Sequence, residues 1–332
     1  MRAPQNMTGR RARVEDSMNY LKDYREGEKF VGTYLCKQKQ VLKTKAGKTY
    51  YSLILQDKTG TADGKIWELN NGIASFDAMN YIHCEGMVVS FQGNLQMNIS
   101  RVRISDEGEY NPADYVPCTE KNTDKMFGEI LKYVASVKNT YLRQILEMYF
   151  VQDEQFVKDF KRHSAAKSVH HGYMGGLLEH TLSVTNMCQF YAENYPILHR
   201  DLLITAALFH DMGKIQEISD FPQNSYTDDG QMLGHIYIGA RELENAAAKI
   251  SGFPAKLKNE LVHCILAHHG KLEFGSPKVP AIVEALALHM ADTTDAKLQT
   301  LKEIFQSAGS GTEWLGYNRM FESNLRKTSQ ED

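Results

Sequence analysis

The hydrophobic period of this chain changes once, and that change limits its architecture more than any other feature. Up to about residue 104, apolar residues alternate with polar ones: Tyr51, Leu53 and Leu55 in one segment, then Leu95, Met97 and Ile99 against Gln96, Asn98 and Ser100. From residue 123 onward they recur three and four apart, as in Met126, Ile130, Tyr133, Val134 and Val137. A period of two belongs to half-buried strands, and a period near 3.6 belongs to amphipathic helices. Such a chain folds as two units of different class, and 332 residues suffice for two cores.

In the first part, strands are expected over 30–36, 49–56, 64–67, 86–91 and 95–102, with a helical or irregular connection over 70–80. Five strands with a connection between the third and fourth fit a small all-β OB-fold barrel over 26–104. Residues 1–25 read as a basic arm, since Arg2, Arg10, Arg11 and Arg13 are followed by no apolar block of a secretory signal. Residues 105–122, acidic and carrying Pro112 and Pro117, read as a linker. Helices expected over 177–195, 200–212, 234–250, 254–269 and 279–297, with a shorter one over 298–307, make 123–311 an all-α domain. A C-terminal extension, 312–332, carries Trp314, Leu315, Tyr317, Met320 and Phe321 for packing on the body or on a partner.

The charged fraction of 24% and hydrophobic fraction of 42% are those of an ordinary globular protein, and no apolar run is long enough to span a bilayer. No membrane partner is expected. Five cysteines without a CxxC pair read as reduced thiols, which points to the cytoplasm. A net charge of -3 excludes a globally basic nucleic-acid binder but not a local patch. One stands out at 37–48, where Lys37, Lys39, Lys43, Lys45 and Lys48 occur with no acid. As a loop between the first two strands, it would track a phosphate backbone, or simply be solvated. Tyr51, Trp67 and Phe91 offer stacking faces wherever they point outward, though a barrel this small needs some aromatics in its core.

The chemistry lies in the helical part. His210 and Asp211 close the apolar run Ala207-Leu208-Phe209, and His180 and Asp292 lie on other expected helices. Imidazole and carboxylate donors on rigid elements suit a divalent ion. The order His, His-Asp, Asp resembles the HD superfamily of metal-dependent phosphohydrolases. That resemblance implies His180 as the first ligand, His210 and Asp211 as the signature doublet and Asp292 as the closing ligand. In two-metal members further histidines hold the second ion and the doublet Asp bridges. His235 and His268 occupy matching places, with a one-metal reading, in which they contact phosphate or water, left open. His269 is the weaker neighbour, because adjacent residues on a continuous helix point about 100° apart. Lys214, three residues after Asp211 and four after His210, is placed to contact a phosphate oxygen and is assigned a catalytic role with Asp211; a solvent-facing helix end is the other reading. His170 and His171 form a loop pair that could contact a nucleotide or metal. His83, His199, His263 and His289 read as structural or surface histidines.

An OB-like unit followed by an HD-like unit resembles the YhaM family of bacterial 3'-to-5' exoribonucleases, over roughly 27–308. The resemblance implies a hydrolase that removes nucleotides from single-stranded RNA, with single-stranded DNA as a second substrate. It also implies Mn2+ as cofactor, with Co2+, Fe2+ or Mg2+ as alternatives and one or two ions per chain. Polarity and metal come from the resemblance alone. Two other functions fit the same residues: an HD phosphohydrolase of free or cyclic nucleotides, and a non-enzymatic nucleic-acid-binding module. The HD-GYP variant lacks support, because no Gly-Tyr-Pro follows the metal residues. A homo-oligomer is compatible with the sequence.

Overall fold

The computed structural model describes residues 20–70, 72–91, 93–167, 171–307 and 313–329. The chain divides into two compact units between Tyr115 and Val116.

The first unit is a closed five-stranded barrel of β1 (Lys29–Lys43), β2 (Thr49–Asp57), β3 (Gly60–Ile66), β4 (Tyr81–Phe91) and β5 (Asn94–Ile104). Around the barrel the order is β1-β2-β3-β5-β4, with β3 and β5 parallel and the other pairs antiparallel. This is the OB-fold connectivity expected of the alternating half. Leu53 and Leu55 of β2 point inward, with Ile66, Ile82, Val88, Met97 and Val102 facing them from the other strands. β1 serves both neighbours: residues 29–35 pair with β4 and residues 35–43 with β2, with a register shift between Cys36 and Gln38. An irregularity of this kind bends a strand and lets it turn the barrel's corner.

Three details differ from expectation. The lysine-rich stretch is not a long loop, since β1 continues to Lys43 and only 44–48 turn before β2. Beyond Cys36 both faces of β1 leave the core, so no apolar alternation marks the strand. β4 begins at Tyr81, five residues earlier than expected. The barrel also extends further toward the N-terminus, because Leu21 and Tyr24, assigned to the arm, are buried in its core. Residues 1–19 of that arm lie outside the described residues.

The second unit is helical. It comprises α1 (Thr123–Ser136), α2 (Thr140–Glu147), α3 (Glu154–Arg162), α4 (Gly176–Asn194), α5 (Arg200–Phe209), α6 (Lys214–Glu217), α7 (Asp228–Lys249), α8 (Ala255–Ala267) and α9 (Val283–Ser307). The N-terminal cap residues Asn122, Asn139, Asp153 and Thr227 each accept main-chain N–H groups in the first turn of α1, α2, α3 and α7. α5 is the most deeply buried helix, with every residue from Leu202 to Phe209 enclosed. The expected helices 279–297 and 298–307 are one continuous α9. In the C-terminal extension, β6 (Trp314–Asn318) and β7 (Ser323–Arg326) form a hairpin that leaves Trp314 and Tyr317 exposed. Among the described residues, no helix is long and apolar enough to cross a membrane.

Candidate metal centre

The doublet was expected inside a helix. It sits instead on the turn that follows α5, because the helix ends at Phe209. His210 keeps helical dihedrals, φ -53° and ψ -36°, and the side chains of this consecutive pair nevertheless converge.

His210 Nε2 lies 3.1 Å from His180 Nε2, on α4, and 3.5 Å from Asp211 Oδ2. His180 Nε2 is 3.3 Å from Asp211 Oδ2 and 3.2 Å from Oδ1 of Asp292, on α9. Three chain segments thus bring His180, His210, Asp211 and Asp292 together. On the other side of the same carboxylate, Asp211 Oδ1 lies 3.6 Å from His235 Nε2, on α7, and 3.7 Å from His268 Nε2, just past α8. His235, His268 and His269 have nitrogens within 4.8 Å of one another. The expectation that His269 would point elsewhere therefore fails. α8 stops at Ala267 and His268 keeps helical dihedrals, yet the long side chains of the adjacent pair bring their ring nitrogens within 4.8 Å of each other.

The imidazoles are oriented from behind. His210 Nδ1 donates to the Ala207 carbonyl and His268 Nδ1 to the Ile265 carbonyl, each at 2.7 Å. His269 Nδ1 donates to the Phe274 carbonyl at 3.0 Å. An Nδ1–H so engaged leaves the Nε2 lone pair facing the centre, which is the tautomer a metal needs. His235 Nε2, His268 Nε2 and Asp211 Oδ1 are all fully enclosed, yet none has a hydrogen-bond partner in the protein. Buried polar atoms left unpaired are costly, and here three of them face one another. A divalent cation fits this donor set, since neutral imidazole and carboxylate oxygen match the chemistry of borderline metals.

Electrostatics separate the two sides. Burial disfavours charge on His180, but Asp211, Asp292 and Asp295 around it reverse the effect and raise its pKa well above the usual value. Burial, helped by neighbouring histidines, pushes His268 well below its usual value and lowers His210. Asp211 should be raised by burial, yet Lys214, His210 and His180 hold it well below the carboxylate range. Lys214 Nζ donates to Asp211 Oδ2 at 2.7 Å, so its ammonium stays in the centre rather than turning to solvent.

His171 is buried and its Nε2 donates to Asp295 Oδ2 at 2.9 Å, while His170 lies outside the described residues. Two carboxylates were not foreseen: Asp295, which accepts from His180 Nδ1 at 2.7 Å, and Glu217, which accepts from His235 Nδ1 at 2.9 Å. Helical spacing could have found both, since each lies three residues after a candidate residue, Asp292 or Lys214. His263 and His289 spend ring nitrogens on main-chain groups of Ala281 and His268.

The nucleic-acid candidates lie on the barrel. Lys37, Lys43 and Lys45 are exposed, and Lys48 is exposed but paired with Glu68. Lys39 is committed elsewhere: its ammonium donates to the Phe76 carbonyl and sits over the Tyr51 and Phe76 rings. Tyr51 is half-buried with its edge against Phe76. Trp67 is 40% exposed and stacks on Tyr50 at 4.7 Å, and Phe91 is exposed.

A family model described as the HD domain matches residues 177–297, the span that carries the whole centre. Curated relatives extend over both units. 3'-5' exoribonuclease YhaM of Listeria innocua is 31% identical over 297 residues, covering 88% of this chain and 92% of the relative. The protein of the same name from Geobacillus sp. is 32% identical, covering 80% and 81%. That of Bacillus subtilis is 32% identical, covering 80% and 84%. The HD match and the His/Asp cluster together indicate divalent-metal binding. With a barrel of OB connectivity, an HD domain after it and relatives that match nearly end to end, this chain belongs to the YhaM family of 3'-5' exoribonucleases.

Proposed function

We propose that this chain is a metal-dependent 3'-5' exoribonuclease that hydrolyses single-stranded RNA, and single-stranded DNA as a second substrate, at a two-ion centre. The observation that carries the reading is the position of Asp211. One carboxylate oxygen faces His180 and His210; the other faces His235 and His268 and has no hydrogen-bond partner. A carboxylate so placed would help to hold a cation on either of its sides. His180, His210 and Asp292 would hold one ion, and His235 and His268, with His269 beside them, the other.

When bound, the cations would acidify a water molecule and offset charge developing on the phosphoryl oxygens. The protein's own groups do the rest. Lys214 brings a fixed positive charge to the centre: burial would lower its pKa, but Asp211 holds it above the usual value, so it stays an ammonium at neutral pH. Asp211 and Asp292 stay ionised for the reasons given above for Asp211 and, for Asp292, because His180 outweighs burial. On the barrel, Trp67 and Phe91 would stack bases while Lys37, Lys43 and Lys45 contact phosphates without regard to sequence. The mixed imidazole and carboxylate donors favour Mn2+ over Mg2+. Polarity is taken from the relatives' printed name. Five free cysteines support a cytoplasmic setting.

Digestion of single-stranded RNA labelled at either end tests the reading. With Mn2+, 5'-labelled RNA should give a ladder that shortens with time, and 3'-labelled RNA should release labelled mononucleotide at once. EDTA or Asp211→Asn should abolish both. Internal cuts, or full activity in Asp211→Asn, would refute the assignment.

A further inference from the structure

Every imidazole facing the centre is held at Nδ1, but the holders are of two kinds. His210 and His268 use main-chain carbonyls three residues earlier in their own segments. His180 and His235 are held by carboxylates from other segments, Asp295 and Glu217. These two histidines lie on opposite sides of Asp211, one toward Oδ2 and the other toward Oδ1. Each half of the centre therefore has one histidine set by a buried carboxylate, while main-chain carbonyls set the others, His269 included through Phe274.

Asp295 stands one turn after Asp292 on α9. Its Oδ2 accepts from both His180 Nδ1 and His171 Nε2, and its Oδ1 accepts from the Ser183 hydroxyl. With three donors on its two oxygens, Asp295 is occupied as an acceptor. His171 is fully enclosed, shares a 2.9 Å hydrogen bond with the Tyr173 hydroxyl and has φ +58°. Histidine adopts that left-handed backbone more readily than most residues, and here the bonds to Asp295 and Tyr173 fix its ring. Glu217 works differently. Its Oε1 accepts both the Nδ1–H and the main-chain N–H of His235, each at 2.9 Å. That N–H is available because α7 breaks at Gly234, with φ +74°, just before His235.

We propose that Asp295, anchored by His171, and Glu217 are positioning residues for separate ions: Asp295 sets the ring of His180 for one, Glu217 that of His235 for the other. A carboxylate on Nδ1–H fixes the ring's tautomer and enriches Nε2 in electrons, so its loss should lower affinity for the ion on that side. The proposal rests on the two-ion reading above.

Calorimetric titration of the metal-free full-length protein with Mn2+ tests it, with metal-free melting as the folding control. Wild type should bind two ions. Asp295→Asn and Glu217→Gln, which keep side-chain shape, should each weaken one ion about tenfold or more and spare the other. In a His268→Ala background, where one ion remains, Asp295→Asn should still weaken it and Glu217→Gln should not. His171→Gln should weaken the same ion as Asp295→Asn, and serves in its place if that variant does not fold. Folded variants with wild-type affinities, or Asp295→Asn and Glu217→Gln acting on the same ion, would overturn the proposal. A wild type that binds one ion would overturn the Glu217 half, and one that binds none would sink the metal reading itself.

Discussion

Gly213, between the doublet and Lys214, offers a sharp test of how the centre is assembled. Its φ of -65° and ψ of -18° are helical, so alanine is acceptable there on local grounds. The obstacle is contact: a Cβ at this position would lie 2.1 Å from the His235 carbonyl oxygen and 2.8 Å from the Gly239 nitrogen. Ordinary contact begins near 3.4 Å, so the doublet turn and α7 would have to part by roughly 1 Å, since a packed interior has no slack to absorb the methyl group. Overpacking of this kind costs about 2 kcal/mol. In a unit of this size that lowers Tm by about 4–8 °C. The same displacement moves His235 away from Asp211, and metal sites tolerate only about 0.5 Å. Gly213→Ala should therefore melt lower without metal and bind the ion on the His235 side at least about tenfold more weakly. Gly128→Ala is the control: it lies in α1, nothing stands within 4 Å of its Cβ position, and it should stabilise by about 0.5 kcal/mol. Differential scanning calorimetry and Mn2+ titration read both quantities. Wild-type melting and binding in Gly213→Ala would refute the reasoning.

Three further predictions follow from the geometry. Trp67→Ala should weaken single-stranded RNA binding by about 1–3 kcal/mol in fluorescence anisotropy, because an exposed stacking face is lost, whereas Tyr51→Ala should mainly lower the barrel's melting temperature. Neutralising Lys37, Lys43 or Lys45 should each reduce the slope of log affinity against log salt by about 0.7, while Lys39→Gln should leave it unchanged because that ammonium is already bonded to Phe76. Glu179 gives the helical unit an acid limit. Burial would raise its pKa, but the Thr119 hydroxyl and the Lys121 ammonium bring it below the usual value. A carboxylate lowered on folding stabilises above its unfolded pKa of about 4.3 and loses that contribution as pH falls through the folded value. Urea denaturation between pH 3 and 5 should show a flatter decline for Glu179→Gln than for wild type, and parallel curves would count against the argument.

Much of the centre was legible before any coordinates, because its chemistry is carried by residue types that are rare inside apolar helices. His180, His210, Asp211 and Asp292 could be picked out by order and donor type. Asp295 and Glu217 carry a weaker signal: each lies three residues after a candidate on the same helix face, but a carboxylate that holds a histidine from behind looks in sequence like any other acid on a helix. His269 is a further case: backbone direction separates neighbours by about 100°, but the reach of an imidazole side chain brings its nitrogen beside those of His235 and His268 all the same. On the barrel, the lysine stretch hid the second half of β1, because a strand with both faces outside the core has no alternation to read. Lys39 and Tyr51 looked like ligand contacts until the Phe76 ring and carbonyl were seen to occupy them.

The sequence by itself determined the class of each unit and the donor set of the candidate metal centre, because period and residue chemistry are local properties that survive without a fold. Only the tertiary structure decided which oxygen of Asp211 meets which histidine, and which carboxylate stands behind each ring. Those relations join residues up to 115 positions apart. They depend on where α5, α7 and α8 end or break, to within a single residue, and hydrophobic periodicity does not resolve helix ends that finely.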